Sequence, residues 1–202
     1  MDLSVIVPCH NLEKFIKPLL DSLKLQQFTY EVELIFVCDY CIDRTHEIIE
    51  EEMVDTQYPI SIYDVDVRSC GLARNKGMKY ATGTYIWFMD GDDWLIDNSA
   101  IQKVLNTMKY YPHEILALEY NAPGFGFKGH PSMVWQYVFN REFIGDLQFL
   151  EVQPHEDLYF VQELFQRPHQ PIFKIQDPLY HYNYMREGSN MQQLFTTGEI
   201  KP

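Results

Sequence analysis

Three carboxylates crowd four consecutive residues, Asp90-Gly91-Asp92-Asp93, directly after the apolar run Tyr85 to Met89. Side chains this close repel one another unless a hard cation neutralises them. The i, i+2 spacing across a glycine lets Asp90 and Asp92 face one side of an extended turn. One or two carboxylates so placed can hold Mg²⁺ or Mn²⁺ while a diphosphate completes the shell; the alternative is an acidic helix-capping turn. A further carboxylate, Asp39, closes the apolar run Val32 to Val37 and is placed to accept hydrogen bonds from a base or ribose. Asp43 stands near a helix start, where capping accounts for it. Arg74, in "CGLARNKGMKYATG", is expected to start a helix beneath the same sheet edge, where a guanidinium meets a phosphate, stacks on a base or stays a surface cation. Glu156 and Asp157 open a helix at the end its dipole favours, and a general base can equally stand there.

Two further motifs invite chemistry. "FVCDYCIDRT" holds a Cys38-x-x-Cys41 pair between a strand and a helix, the placement of a redox dithiol. Asp39 between the sulfurs raises rather than lowers a thiol pKa, which argues against that reading. Cys9, Cys38 and Cys70 each follow a different strand and can gather at one sheet edge, but a zinc site of four cysteines usually brings two Cys-x-x-Cys pairs and only one is present. The sulfurs are therefore expected to be incidental. Gly124 to Gly129 matches GxGxxG, yet it lies late in the chain between Pro123 and Pro131, whereas a dinucleotide fold puts that fingerprint after its first strand.

The elements that must position these residues follow from periodicity. Apolar runs at Leu3 to Pro8, Val32 to Val37, Ile60 to Val65 and Tyr85 to Met89 predict strands. Between them, helical spacing over residues 12–23, 45–53 and 72–80 predicts βαβ units and a mostly parallel sheet that binds its ligand at the C-terminal strand ends. Beyond Asp90 come a helix over Ser99 to Tyr110, an apolar run "EILALEY", a Gly/Pro-rich loop from Asn121, a helical "EDLYFVQELFQ" and a strand-like "PLYHYNY". No linker separates two domains. The expectation is one α/β domain with a nucleotide-binding half over 1–95, an acceptor-side half over 96–190 and a tail over 191–202. Phe125, Phe127 and Trp135 can stack on sugar faces near a mobile loop, or else serve as apolar anchors.

Composition bounds the partners. The 202 residues carry 16 Lys plus Arg against 29 Asp plus Glu, a net charge of −13, which repels nucleic-acid phosphates. If the ligand is a phosphate ester, a cation must accompany it. No run of about 18 apolar residues exists to span a bilayer, and Met1-Asp2 leads into a strand without a basic n-region. A cytoplasmic location and free thiols are expected.

Together these residues resemble the family 2 glycosyltransferases of GT-A fold. "SVIVPCHN" is similar to that family's opening Ser-Ile-Ile-Val-Pro-x-Tyr-Asn. "FVCDYCIDRT" lies where the family shows Val-Asp-Asp-Gly-Ser-x-Asp-Gly-Thr, so Asp39, Asp43 and Thr45 match while Cys38 replaces an acid and Arg44 a glycine. "CGLARNKGMKYATGTYIWFMDGDDW" is close to Gly-x-x-x-Ala-Arg-Asn-x-Gly ending in Asp-x-Asp-Asp, and "HEDLYF" matches the Glu-Asp element. The resemblance implies a Rossmann-like nucleotide-binding half in a mixed, mainly parallel sheet flanked by helices. It implies that Pro8, His10, Asn11 and Asp39 line the nucleoside pocket and that Arg74, Asp90 and Gly91 lie at the nucleotide. Asp92, with Asp90, is to hold Mn²⁺ or Mg²⁺, and Asp157 is the base for inverting transfer from a nucleotide sugar, with UDP favoured. His181 is a candidate third metal ligand, its alternative a packed or surface imidazole. The acceptor implied is a glycan or lipid-linked glycan, reached by at most peripheral contact with the inner membrane face. Rival readings are a sugar nucleotidylyltransferase, whose Gly-rich loop is replaced here by "PCHNLEK", and an inactive relative that only binds nucleotide or glycan.

Overall fold

The computed structural model describes residues 1–124, 133–152, 155–184, 186–187 and 192. Four parallel strands form its first half: β1 (Leu3–Cys9), β2 (Val32–Asp39), β3 (Ile60–Val65) and β4 (Tyr85–Phe88). β1 lies between β2 and β4, in register Leu3 to Val32 and Leu3 to Tyr85. β1 is buried along its whole length, because helices cover both faces and leave no face for polar residues. Val5, Val7, Leu34 and Phe36 point to the face covered by α1 (Lys17–Lys24), α2 (Thr45–Glu52) and α4 (Ala100–Tyr110). Ile6, Ile35, Val37 and Phe88 point to the other, under α3 (Cys70–Tyr80) and α6 (Glu156–Gln166).

The sheet does not stop where the sequence halves meet. β7 (Tyr137–Asn140) pairs antiparallel with β4 and with β6 (Ile115–Asn121), while β8 (Phe173–His181) runs parallel to β6. The two residues of β5 (Trp94–Leu95) return from the Asp90 turn and pair antiparallel with the end of β8. Among the described residues the order is β3-β2-β1-β4-β7-β6-β8-β5. β5 therefore carries the acidic turn across the sheet to the end of β8.

Two departures from the sequence expectation have local causes. α1 begins at Lys17 rather than Leu12, with Pro18 in its first turn and a separate turn over residues 12–16. β8 begins at Phe173, ahead of "PLYHYNY"; its mostly exposed first six residues lack the apolar pattern that marks a strand. Trp135 is an apolar anchor, buried and stacked 4.8 Å from Tyr180, with its carbonyl accepting from the Trp87 indole N–H. Phe125, Phe127, the GxGxxG stretch beyond Gly124 and nearly all of the 191–202 tail lie outside the described residues.

Candidate active site

The C-terminal ends of β1 and β2 build one rim. Pro8 is buried in β1 opposite Val37. Just past the strand the exposed His10 ring donates from Nδ1 to the Asp39 carbonyl at 2.7 Å, which leaves Nε2 to accept from Asn11 Nδ2 at 3.2 Å. Asn11 Oδ1 in turn accepts from the Ile42 amide. Asp39, only 4% exposed, has a structural occupation that its sequence position did not reveal. Its Oδ1 accepts from the amides of Val67 and Arg68 at 2.8 and 2.9 Å, and its Oδ2 from Ser69 at 2.8 Å. The carboxylate thus fixes the segment that enters α3, where Ser69 caps the helix at Leu72. Oδ2, with one amide partner, keeps acceptor capacity toward a ligand. Asp43 has a similar duty, accepting from Thr45 and from the Glu13 amide.

Backbone strain collects at this edge. Asn11, Tyr40 and Arg68 hold φ of 50°, 50° and 51°, and His155, one residue before α6, holds 102°. They are the described non-glycine residues in the left-handed region, a conformation that persists where the surroundings impose it. Arg68 lies 4.0 Å over the Tyr40 ring beside Asp39.

The second group of residues centres on Arg74. Arg74 is 2% exposed and its guanidinium contacts three carboxylates: Asp90 from Nη2 at 2.8 Å, Asp157 from Nη1 at 2.5 Å and Glu156 from Nη1 at 3.1 Å. One cation therefore ties the turn after β4 to the first residues of α6. Arg74 Nε is buried without a hydrogen-bond partner. The Asp157 carboxyl is pushed up to about 7, chiefly by burial, with Arg74 opposing and Glu156 and Asp90 adding to the rise. Its Oδ2 also accepts from the Val134 amide at 3.2 Å.

The acidic turn closes with the Asp93 amide on the Asp90 carbonyl. At Gly91 a Cβ would meet Leu12 Cδ1 at 2.4 Å, so a larger residue there must displace the tip of that leucine. Asp92 pairs with Arg186, and burial pushes its carboxyl upward against that cation. Asp93 is fully buried and braces the turn against the end of β8, accepting from the Tyr180 hydroxyl and the Asn183 amide, both at 2.7 Å. Tyr180 also receives the Asp90 amide. The His181 ring stacks 3.9 Å from that of Trp94. The bracing role of Asp93, and Tyr180 and Arg186 altogether, escaped the sequence pattern because the paired residues lie about 90 residues apart.

Asp90, Asp92, Asp93, Glu156 and Asp157 together set five carboxylates against the guanidiniums of Arg74 and Arg186. Such an excess of hard oxygen donors suits Mg²⁺ or Mn²⁺, with Asp90 and Asp92 the side chains able to offer it.

Comparison with known proteins completes the description. The Glycosyl transferase family 2 model matches residues 4–161. Poly(ribitol-phosphate) beta-N-acetylglucosaminyltransferase TarS of Staphylococcus aureus is 26% identical over 222 residues, covering 98% of this chain and 38% of that protein. The uncharacterized glycosyltransferase EpsJ of Bacillus subtilis is 43% identical over 94 residues, or 46% of this chain and 26% of EpsJ. The minor teichoic acid biosynthesis protein GgaB of Bacillus subtilis is 37% identical over 117 residues, 56% of this chain and 13% of GgaB. The chain thus spans well under half the length of these relatives. Among solved structures, S. aureus TarS 1-349 in complex with UDP-GlcNAc superposes with a TM-score of 0.84 at 23% identity, covering 95% of this chain and 61% of that one. The mannosyltransferase PcManGT from Pyrobaculum calidifontis, in complex with GDP-Man and Mn²⁺, gives 0.77 at 15% identity, covering 92% and 58%.

Proposed function

The chain belongs to glycosyl transferase family 2 and has the GT-A fold, and from that premise we propose that it transfers a sugar, with inversion, from a UDP-linked donor to a hydroxyl of a glycan or lipid-linked glycan. The observation that carries this reading is the placement of Asp157. Its carboxylate is bridged by one buried guanidinium to Asp90, so base and acidic turn share a rigid frame. With its carboxyl near neutrality, Asp157 is poised to accept a proton at working pH, which is what a general base requires. In the proposed reaction the acceptor hydroxyl gives its proton to Asp157 as its oxygen attacks the anomeric carbon. The bond to the nucleoside diphosphate breaks on the opposite face.

The other residues have positioning duties. Arg74 keeps the carboxylate of Asp157 aimed and partly ionised, and Glu156 shares that guanidinium. Pro8, His10, Asn11 and Asp39 frame the nucleoside, with Asp39 Oδ2 the remaining acceptor for base or ribose. Asp90 and Asp92 hold Mn²⁺ or Mg²⁺, which when bound stabilises the negative charge of the departing diphosphate. A cation there also accounts for how a chain of net charge −13 accepts so anionic a donor. Residues 1–95 serve the donor and 96–190 the acceptor. The UDP-GlcNAc held by the TarS structure favours uridine, and the names of TarS and GgaB favour an anionic wall polymer as acceptor. No helix among the described residues is long and apolar enough to cross a membrane; we place the enzyme in the cytoplasm, in peripheral contact with the membrane where its acceptor is assembled.

Calorimetry with UDP and with GDP, each with and without Mn²⁺, tests the donor side. UDP is expected to bind, and more tightly with Mn²⁺; binding of neither nucleotide would sink the proposal. Hydrolysis across a panel of UDP-sugars tests catalysis, since nucleotide binding with no turnover of any donor, with or without glycan acceptor, identifies a non-catalytic binding relative.

A further inference from the structure

The Cys38-x-x-Cys41 pair plays no part in sugar transfer, yet the structure gives Cys38 unexpected company. A sulfur of Cys38, a ring nitrogen of His46 and a carboxylate oxygen of Asp64 all lie within 4.8 Å of one another, the one such trio of His, Cys, Asp or Glu among the described residues. Cys9, Cys38 and Cys70, the grouping the strand ends suggest, do not form one. The trio comes from three successive elements: the end of β2, the first turn of α2 and the edge strand β3. Side chains alternate along a strand, so Cys38 packs toward the α1 and α2 face while Asp39 turns to the segment before α3.

The imidazole is oriented as a ligand would be. His46 Nδ1 faces Asp64 Oδ1 at 2.9 Å, and its far nitrogen, Nε2, stands 3.4 Å from the Glu50 carboxylate one helical turn on. A metal-bound histidine uses one nitrogen for the ion and directs the other at a carboxylate, which fixes the ring. The geometry points to a site for a thiophilic divalent cation, zinc foremost, held by Cys38 Sγ, His46 Nδ1 and Asp64 Oδ1 and clamping β2, α2 and β3 behind the nucleoside rim.

The donor set selects the ion. Thiolate, imidazole and carboxylate bind Zn²⁺ at about 2.3, 2.0 and 2.1 Å, which sets the donors roughly 3 to 4 Å apart; the present trio reaches that spacing by small shifts, the 2.9 Å His46–Asp64 pair opening slightly. Mg²⁺ and Mn²⁺ prefer oxygen, so they belong at Asp90 and Asp92. Cys41 is a candidate fourth donor: its thiol is in hydrogen-bonding contact with Cys38, and the chain spaces them as Cys38-x2-Cys41-x4-His46. Binding expels the Cys38 proton as the thiolate forms on the metal.

Titration of the full chain with Co²⁺, followed by absorbance, tests the site apart from any oxygen-only centre, because only a thiolate ligand gives an intense near-ultraviolet charge-transfer band. The expected result is that band at one equivalent of Co²⁺, bleached by Zn²⁺ and untouched by Mn²⁺. His46→Ala and Asp64→Asn, at partly buried and exposed positions, should each weaken Co²⁺ binding at least tenfold with the circular dichroism unchanged. Cys38→Ser should abolish the band and Cys70→Ser should leave it intact. No band in the unaltered protein, an undiminished band in His46→Ala and Asp64→Asn, or a band lost with Cys70→Ser would each overturn the assignment.

Discussion

The rim proposed for the nucleoside and the carboxylate cluster sit on one edge of the same sheet and satisfy their acids by opposite means. On the rim, Asp39 alone receives three backbone amides, so its charge is met by neutral dipoles fixed in the main chain. In the cluster, three carboxylates share the one guanidinium of Arg74, and burial lifts Asp157 to about 7. The rim is built to keep a shape. The cluster is built to keep an unmet demand for positive charge, which a proton from an acceptor or a metal with its diphosphate can answer.

Removing Arg74 should break that contrast most severely. Arg74→Met leaves three carboxylates facing each other without a cation, and loss of one partner from such a buried set costs about 3–5 kcal/mol. Asp157 is held above its unfolded value, so its ionisation opposes folding above about pH 7 and the penalty fades as pH falls through that value. Thermal melts of Arg74→Met should therefore show a large loss at pH 8 that shrinks toward pH 6; a loss equal at both would contradict the electrostatic account. Asp39→Asn should cost less, about 1–3 kcal/mol, since its side-chain amide turns an N–H toward a backbone N–H that had an acceptor. Denaturant midpoints measure that loss, and a loss as large as that of Arg74→Met would erase the distinction between the two regions.

Function should follow the same division. Given the proposed role of Asp157, kcat/KM should fall tenfold per pH unit below about 7, while UDP affinity on the rim changes little over that span. A flat rate profile between pH 5.5 and 8 would remove Asp157 as the titrating base. The smallest effect belongs to His181→Phe, which keeps a ring on Trp94. Turnover and Mn²⁺ dependence are expected to stay within about threefold, and a collapse of Mn²⁺ dependence would restore His181 as a metal ligand.

What could be read from sequence depended on range. β1, β2 and β4 announce themselves as apolar runs because both their faces are covered, β3 does so from a half-buried sheet edge, and α6 keeps its expected bounds through helical spacing. β5 has two residues and β8 opens on an exposed stretch containing Pro178, so neither shows a pattern until its partner is known. In the site, residue types and placement were legible for Asp39 and Asp90 at strand ends and for Arg74 and Asp157 on helices. Their partners were not: the amides that occupy Asp39 come from residues 67–69, and Arg74 reaches across more than 80 residues to α6. The pairing of Cys38 with His46 and Asp64 is of the same kind, set by adjacency of β2 and β3 rather than by spacing along the chain.

The central claim is that the cluster performs the chemistry on a rim that binds without it. Asp157→Asn tests it directly, with kcat for sugar transfer and the Kd for UDP with Mn²⁺ measured on the same preparation. Loss of a general base predicts a fall in kcat of about 10²- to 10⁴-fold with the Kd within a few-fold of the unaltered protein; an undiminished kcat would contradict it.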